Sequence, residues 1–456
     1  MSDLQVRVPS NLTTRLLEEI HRPGPPEAVV FGFASHARTE NRDLVLLRDI
    51  FVPPASAFLP SEGHGARWTG AFNIELANRA LERNLGIFIF HAHGAARSVS
   101  LSSDDLASAR QLLPRFQLLL PQRPHGSIVF GSDSAAGLIL CPGRDVEHSE
   151  FSVRLIEERR IRTWPLPDAT LDDARLFHQQ PITVGPLLRK ILRGATVAVV
   201  GLSGGGSQAV AQLAAVGIGE IIAIDDQRAE GSNRTATPNL GWLEAFSAMH
   251  KVTAARWRCW LIDRRVRYVG VKALVPQDPA VQALKRADII VGCVNNLHAR
   301  ADLNEIAWRY CIPYLDVGLG VTTDQSEVGG EQPPRLTGIP GNLCCAVPGG
   351  PCLWCTEFVT RAKLDGETGG LGRSYLQNSR GYEALVAPFN SILAGEAVAE
   401  VVRLLTGVGA HRELRRQYDG LTGTMHQLLV KRSSRCELCN TTLAVGDPTW
   451  TPIQSA

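Results

Sequence analysis

The chain has 456 residues, more than one core of ordinary size organises, which predicts two domains. Its 44% hydrophobic and 20% charged residues describe a globular composition, and no apolar run reaches the length of a bilayer span. The 47 lysines and arginines against 45 acids leave a formal net charge of +2, without the basic excess of a nucleic-acid binder.

Residues 1–7 lack the basic-then-apolar pattern of a secretory signal, so cytoplasmic residence is the expectation. The ten cysteines then read as ligands, nucleophiles or core fillers before disulfides. Short apolar runs predict strands over 29–33 and 43–52, the second stopped by Pro53 and Pro54. Residues 74–83 follow a helical period, with Ile74, Leu76, Ala77, Ala80 and Leu81 mostly on one face. A strand over 86–90, a helix over 104–113 and a strand over 127–131 complete an α/β domain at 1–152. Residues 153–173 read as a linker, charged and helical over 154–162 and broken at Pro165 and Pro167. A second α/β domain spans 174–456, with the order strand, glycine turn, helix, strand.

The strand over 86–90 runs into His91-Ala92-His93. Alternate residues of an extended chain point the same way, so both imidazoles can reach one ion. Ser102-Ser103-Asp104-Asp105 then opens a helix, where a carboxylate supplies a third ligand and leaves a fourth position for water. Zinc lowers the pKa of such a water to near neutrality. Glu27, just before the strand over 29–33, is the candidate second carboxylate. Ser102 and Asp105 also make a serviceable helix cap.

Together these residues resemble the JAMM (MPN/JAB) metalloprotease family over roughly residues 1–150. The resemblance implies a cytidine-deaminase-like α/β fold. It implies His91, His93 and Asp105 as ligands of a catalytic Zn2+, Glu27 as general base and Ser102 as oxyanion hydroxyl. The activity implied is cleavage after the C-terminal glycine of a ubiquitin-like protein. One departure is the eight residues between His93 and Ser102, where the family has seven, which leaves Asp104 and Asp105 to be told apart.

The second domain opens on the apolar run 196–200, followed by Gly201-Leu202-Ser203-Gly204-Gly205-Gly206 and an alanine-rich helix over 209–216. Glycines let the backbone approach a phosphate at a helix N-terminus. A second strand over 221–225 ends in Asp225, nineteen residues past Gly206, a position that suits a ribose hydroxyl. A nicotinamide enzyme fits less well, because Ser203 stands where its second glycine belongs, and without a Walker lysine the turn is not a P-loop.

Further on come Glu230-Gly231-Ser232-Asn233-Arg234, Lys251, Val291-Gly292-Cys293-Val294-Asn295-Asn296, Arg300 and Asp316. This order resembles the ThiF, MoeB and ubiquitin-activating enzyme family over about 172–430. The resemblance implies a Rossmann-like domain that binds ATP with Mg2+ and adenylates the C-terminal glycine of a small β-grasp protein. It implies nucleotide contacts from Gly201, Gly204, Gly206, Asp225, Asn233, Arg234, Lys251, Asn295 and Asn296. Asn295 replaces the family's magnesium-binding aspartate, Ala236 stands at the family's arginine position with Arg234 nearby, and His178 replaces the second arginine of an Arg-x-x-Arg-Gln segment.

Cys352-x-x-Cys355 and Cys436-x-x-Cys439 have the spacing of a closed structural Zn2+ knuckle. Cys141, Cys259, Cys293 and Cys311 read as core, no cysteine stands out as a thioester nucleophile, and adenylation without a stable thioester is the expectation, with Cys344 or Cys345 as the remaining candidates. The whole resembles a bacterial fusion of protease and adenylation domains acting on one glycine tail. The implied partners are a ubiquitin-like protein and a conjugating enzyme, in a homodimer with neither nucleic acid nor membrane. The alternatives are sulfur-carrier activation in biosynthesis, or a nucleotide-binding scaffold in which Asn295 has ended catalysis.

Overall fold

The structure is a computed structural model and describes residues 3–22, 28–59, 66–94, 97–143, 147–166, 185–237, 239–324, 335–368, 387–409 and 413–447. It divides into two compact units. The first comprises Met1–Leu166, Arg309–Cys311 and Thr441–Ala456; the second comprises Pro167–Trp308 and Ile312–Asn440.

The first unit runs β1 (Asp3–Val8), α1 (Ser10–Ile20), β2 (Val30–Arg38), β3 (Arg42–Phe51), α2 (Gly70–Arg83), β4 (Gly86–Ala92), α3 (Ser103–Leu119), β5 (His125–Phe130), β6 (Ala135–Leu140), β7 (Ser152–Ile156) and β8 (Ile161–Trp164). Its eight strands form one mixed sheet in the order β6-β5-β4-β2-β3-β1-β7-β8. Each face carries its own core. Phe88 and Phe90 of β4 pack with Leu12, Leu16 and Ile20 of α1. Ile87 and Ile89 pack with Leu76 of α2 and Leu113 and Phe116 of α3. The two-residue alternation of β4 therefore directs the odd-numbered positions toward the α3 face, which sets up the site described below.

Three expectations for this region need correction. Residues 154–162 are not helical, and 153–164 is not a linker: β7 pairs in parallel with β1 and antiparallel with β8. Val153 and Leu155 are buried at strand spacing, and sheet pairing overrides the helical tendency of the charged residues between 154 and 162. Ile74 and Leu81 are exposed, because α2 begins at Gly70, capped by Thr69, and buries Phe72, Leu76 and Ala80 instead. Thirdly, residues 441–447 group with the first unit, not the second: the Ser35 hydroxyl donates to the Ala444 carbonyl, and Asp447 N donates to His36 O at 2.9 Å.

The second unit runs α4 (Pro186–Gly194), β9 (Thr196–Val200), α5 (Gly204–Val216), β10 (Glu220–Ile224), α6 (Asn233–Ala236), α7 (Trp242–Phe246), α8 (Lys251–Ile262), β11 (Arg267–Val271), α9 (Asp278–Lys285), β12 (Ile289–Gly292), α10 (Leu297–Arg309) and β13 (Tyr314–Leu319). It continues with β14 (Thr322–Asp324), β15 (Arg335–Gly338), β16 (Pro340–Ala346), α11 (Arg361–Thr368), α12 (Ala387–Thr406), β17 (Arg415–Asp419), β18 (Thr424–Leu428) and α13 (Glu437–Thr441). The main sheet has the order β11-β10-β9-β12-β13-β16-β17-β18. Strands β11 through β13 in that order are parallel, and β16 to β18 are antiparallel. β9, first in the chain, lies between β10 and β12. Chain order reverses there, and ligands of open parallel sheets bind outside the carboxyl ends of such strands.

Candidate functional sites

In the first unit, His91 ends β4 on the same face as Ile87 and Ile89, and His93 continues that alternation. Asp105 stands in the first turn of α3. His91 Nε2 lies 3.2 Å from one Asp105 oxygen and His93 Nε2 lies 3.2 Å from the other. One ligand atom from each of the three residues falls within 4.8 Å of the others. Burial raises the Asp105 pKa, but the neighbouring His91 imidazole and the Ser102 hydroxyl and N–H outweigh it and hold the carboxyl well below its usual range. His91 Nε2 is buried and, among the described residues, lacks a partner with hydrogen-bond geometry. An orphaned imidazole nitrogen facing an ionised carboxylate and a second imidazole is a donor set that fits a divalent metal such as zinc. The structure selects Asp105 over Asp104 for this cluster. The Ser102 hydroxyl donates to Asp105 at 2.7 Å and accepts the Asp105 N–H at 3.1 Å, a reciprocal cap of α3. Glu27 lies outside the described residues.

In the second unit, β9 delivers the chain to Gly201, whose φ of +84° suits glycine. A Cβ there would lie 2.6 Å from the Cys293 carbonyl oxygen, so the turn and the end of β12 pack backbone to backbone. Ser203 precedes α5 but does not cap it with its side chain. The first N–H groups of α5, from Gly204 onward, therefore keep their affinity for an anion. Asp225, at the end of β10, accepts the Leu202 N–H at 2.6 Å and the Gln227 N–H at 2.8 Å. Burial raises its pKa, against the opposing pull of the Leu202 amide and the Lys251 charge.

Lys251 is the first residue of α8 and only 4% exposed. A helix N-terminus disfavours a cation, and burial disfavours it further. Its Nζ donates to Ser203 Oγ at 2.9 Å and to Gln227 Oε1 at 2.6 Å, both uncharged acceptors. Gly201, Gly204, Gly206, Asp225 and Lys251 thus converge on the carboxyl ends of β9 and β10. Ser203 and Gln227 belong with them but carry no motif that periodicity or spacing reveals.

Of the other expected nucleotide contacts, Asn233 and Asn296 have local partners. Asn233 Oδ1 accepts the Glu230 N–H at 2.9 Å, and Arg234 is exposed on α6. Asn295 is half-buried after β12, and Asn296 accepts the Ala299 N–H in the first turn of α10. Beneath them Arg300 is fully buried, pairs with Asp316 and donates to the Val294 carbonyl at 2.7 Å. Tyr314 donates to Asp316 at 2.7 Å, which completes a rigid support for the Cys293–Asn296 turn. The segment containing His178 lies outside the described residues.

Cys352, Cys355, Cys436 and Cys439 come together with sulfur separations of 3.5, 3.7 and 3.8 Å. Four thiolates ~2.3 Å from a tetrahedral ion stand ~3.8 Å apart, so the cluster fits a structural metal. Ser433 N donates to Cys355 Sγ at 3.4 Å, and Arg432 reaches the Cys439 carbonyl at 3.0 Å. Cys344 and Cys345 are buried in β16, where burial first, with Asp316 behind it, pushes the Cys344 thiol up to about 12. Burial raises Cys345 as well, and neither buried thiol is favoured as a thiolate.

The sequence is similar to a sulfur carrier protein adenylyltransferase of Thermus thermophilus, 24% identical over 59% of this chain and 92% of the relative. It is also similar to the sulfur carrier protein ThiS adenylyltransferase of Escherichia coli, 22% identical over 59% of this chain and 91% of that protein. The SAMP-activating enzyme E1 of Haloferax volcanii is 27% identical over 41% of this chain and 63% of its own length. The family model described as ThiF family matches residues 178–439, a stretch that holds the glycine turn, Asp225, Lys251 and all four knuckle cysteines. That match covers more than half of the chain, and the chain belongs to the ThiF family.

Proposed function

We propose that the second unit uses ATP to adenylate the C-terminal carboxylate of a small sulfur-carrier protein. The observation that carries this reading is Lys251, a buried ammonium at a helix N-terminus held by two neutral oxygens. Such a group is costly unless an anion completes it. The sulfur-carrier reading takes precedence over ubiquitin-like conjugation because the Thermus and E. coli relatives, matched over most of their length, are named for sulfur carriers.

In this reaction a carboxylate oxygen forms a bond to the α-phosphorus while the bond to the bridging oxygen breaks and pyrophosphate departs. Lys251 and the α5 amides oppose the charge that grows on the departing phosphates. Asp225 accepts from the ribose hydroxyls, and Gly201, Gly204 and Gly206 let the triphosphate approach the backbone. Asn233, Arg234, Asn295 and Asn296 lie on the segments that flank this end of the sheet. Asn295 would offer a neutral oxygen to a magnesium ion bound with the nucleotide, and that ion would supply neutralisation of the phosphate charge. The test is ATP–pyrophosphate exchange with a carrier protein ending in glycine. Exchange that appears with the intact carrier and disappears when the glycine is removed supports the reading; exchange indifferent to the carrier defeats it.

A second reading concerns the first unit and rests on the His91, His93 and Asp105 cluster. We propose that it holds zinc in the manner of a JAMM hydrolase and cleaves the peptide or isopeptide bond after the carrier's terminal glycine. Zinc would polarise a water there. Glu27 would take its proton, and Ser102 would serve the oxyanion only if its hydroxyl left Asp105. A fusion with residues appended after the glycine is the substrate to use. Cleavage abolished by His91→Ala and by chelation supports the reading, and cleavage that survives both excludes it.

A further inference from the structure

Taking the adenylation reading as its basis, we propose that Glu367 of α11 is a magnesium-binding carboxylate of the nucleotide site. Two helix N-termini stand at the point where chain order reverses. α5 follows β9 and α10 follows β12, and these strands pair in parallel with Gly292 opposite Val200. The Cys293 N–H donates to the Val200 carbonyl at 2.8 Å, so the two turns leave the sheet side by side. The first is open, because Ser203 does not cap α5 with its side chain. The second is filled. Glu367 Oε2 accepts the Leu297 N–H at 2.9 Å and the His298 N–H at 3.4 Å, and Asn296 accepts the Ala299 N–H at 2.6 Å. A carboxylate in that place keeps phosphate off α10 and leaves α5 as the anion site.

The cap uses only half of the carboxylate. His298 Nε2 also stands on the Oε2 side, 4.0 Å away, and among the described residues Oε1 has no contact. The Glu367 side chain is 12% exposed, so its charge is poorly screened. A fixed negative charge beside a triphosphate repels it unless a cation stands between them. Magnesium suits that place, since it takes one or two carboxylates together with phosphate oxygens and fills its remaining positions with water. Other acids at this end of the sheet are committed or more distant. Asp225 gives both oxygens to the amides of Leu202 and Gln227, and Asp316 is paired with Arg300. Asp226 follows β10, which β9 separates from β12. Asn295, two positions before Leu297, brings a neutral amide to the same turn, so Glu367 is the group there that supplies charge for the ion.

The isosteric change Glu367→Gln separates this role from a merely structural cap, because a glutamine oxygen still accepts from the α10 amides but carries no charge. Titration calorimetry on the full chain with ATP plus magnesium, with ATP plus EDTA and with adenosine reads the ion, the phosphates and the sugar side in turn. The expected result for Glu367→Gln is ATP with magnesium bound about tenfold more weakly, metal-free ATP bound as tightly as in wild type or more so, and adenosine unchanged. Electron paramagnetic resonance with Mn2+ as the probe, in the presence of ATP, should show the ion held more weakly by the variant. Glu367→Ala, which removes the cap as well, should lose the same magnesium effect and also melt at a lower temperature. ATP with magnesium bound equally by wild type and Glu367→Gln overturns the proposal, as does an equal loss with and without magnesium. A wild-type chain that binds neither ATP nor adenosine overturns the adenylation reading itself, whatever the variants do.

Discussion

Two neighbouring glycines of the turn respond in opposite ways to the same substitution. Alanine at 206 would place its Cβ 1.8 Å from the Gly201 carbonyl oxygen, about 1.2 Å inside the 3.0 Å that Cβ contacts respect. The backbone fixes that atom, so no rotamer relieves the overlap; the turn or the start of α5 must move. Forced overpacking costs about 1–3 kcal/mol and sometimes more, against a gain of about 1 kcal/mol from replacing glycine inside a helix. Alanine at 205 meets only Cys293 Sγ at 3.7 Å and Cβ at 4.0 Å, ordinary contacts, and keeps the propensity gain. Gly205→Ala should therefore be the more stable of the two by roughly 1–3 kcal/mol, because the propensity gain is common to both. Native-state hydrogen exchange of peptides covering 204–216, without nucleotide, measures the difference where it arises. Protection in Gly206→Ala equal to that in Gly205→Ala would refute the close packing of turn, helix and β12 on which the site is built.

Lys251→Met removes a buried cation that has no carboxylate in hydrogen-bond contact among the described residues, so the melting temperature without nucleotide should hold or rise while pyrophosphate exchange falls by about 10²-fold or more. Cys436→Ser should lower bound zinc by one equivalent, measured by elemental analysis, and should loosen exchange protection around both cysteine pairs. Arg300→Met leaves Asp316 buried without its cation and should cost about 3–5 kcal/mol, read by denaturant unfolding of the second unit. His125 is fully buried, its Nδ1 accepting from Ile87 N and its Nε2 donating to Leu120 O. Burial lowers its pKa to about 4, against the Leu120 carbonyl, which raises it. The unfolded chain takes up a proton below about 6.5 while the folded first unit does not, so its contribution is intact above that pH and is lost as pH falls toward 4. The loss amounts to about 3 kcal/mol at pH 4 and should shrink in His125→Asn, as urea unfolding across that range will show.

Much of the site was readable because it is built from short motifs whose geometry is local. His91 and His93 share a face because strands alternate, and Gly201 and Gly206 stand where a backbone must pass close to another backbone. The two cysteine pairs carried their ligand spacing openly, although 84 residues separate Cys352 from Cys436. Ser102 illustrates the opposite case. Its spacing from Asp105 suits a catalytic hydroxyl and a helix cap equally, and the structure uses it as the cap. Gln227 was invisible and Ser203 showed only as a departure from the dinucleotide fingerprint, since each acts through the ammonium of Lys251, which lies 24 residues from the former and 48 from the latter.

What the sequence by itself determined are the elements whose signals lie within a few residues: the βαβ opening at 196–225, the histidine pair at a strand end and the two cysteine pairs. What only the tertiary structure decided is which distant segments share an element or a charge. Residues 152–164 became strands because β1 offered an edge to pair with, and 441–447 joined the first unit through bonds to the Ser35 hydroxyl and the His36 carbonyl. Likewise, it is burial in β16 that raises the Cys344 and Cys345 thiols. Propensity and spacing act along the chain, whereas pairing, desolvation and electrostatic partnership act through space, so no window of sequence contains them.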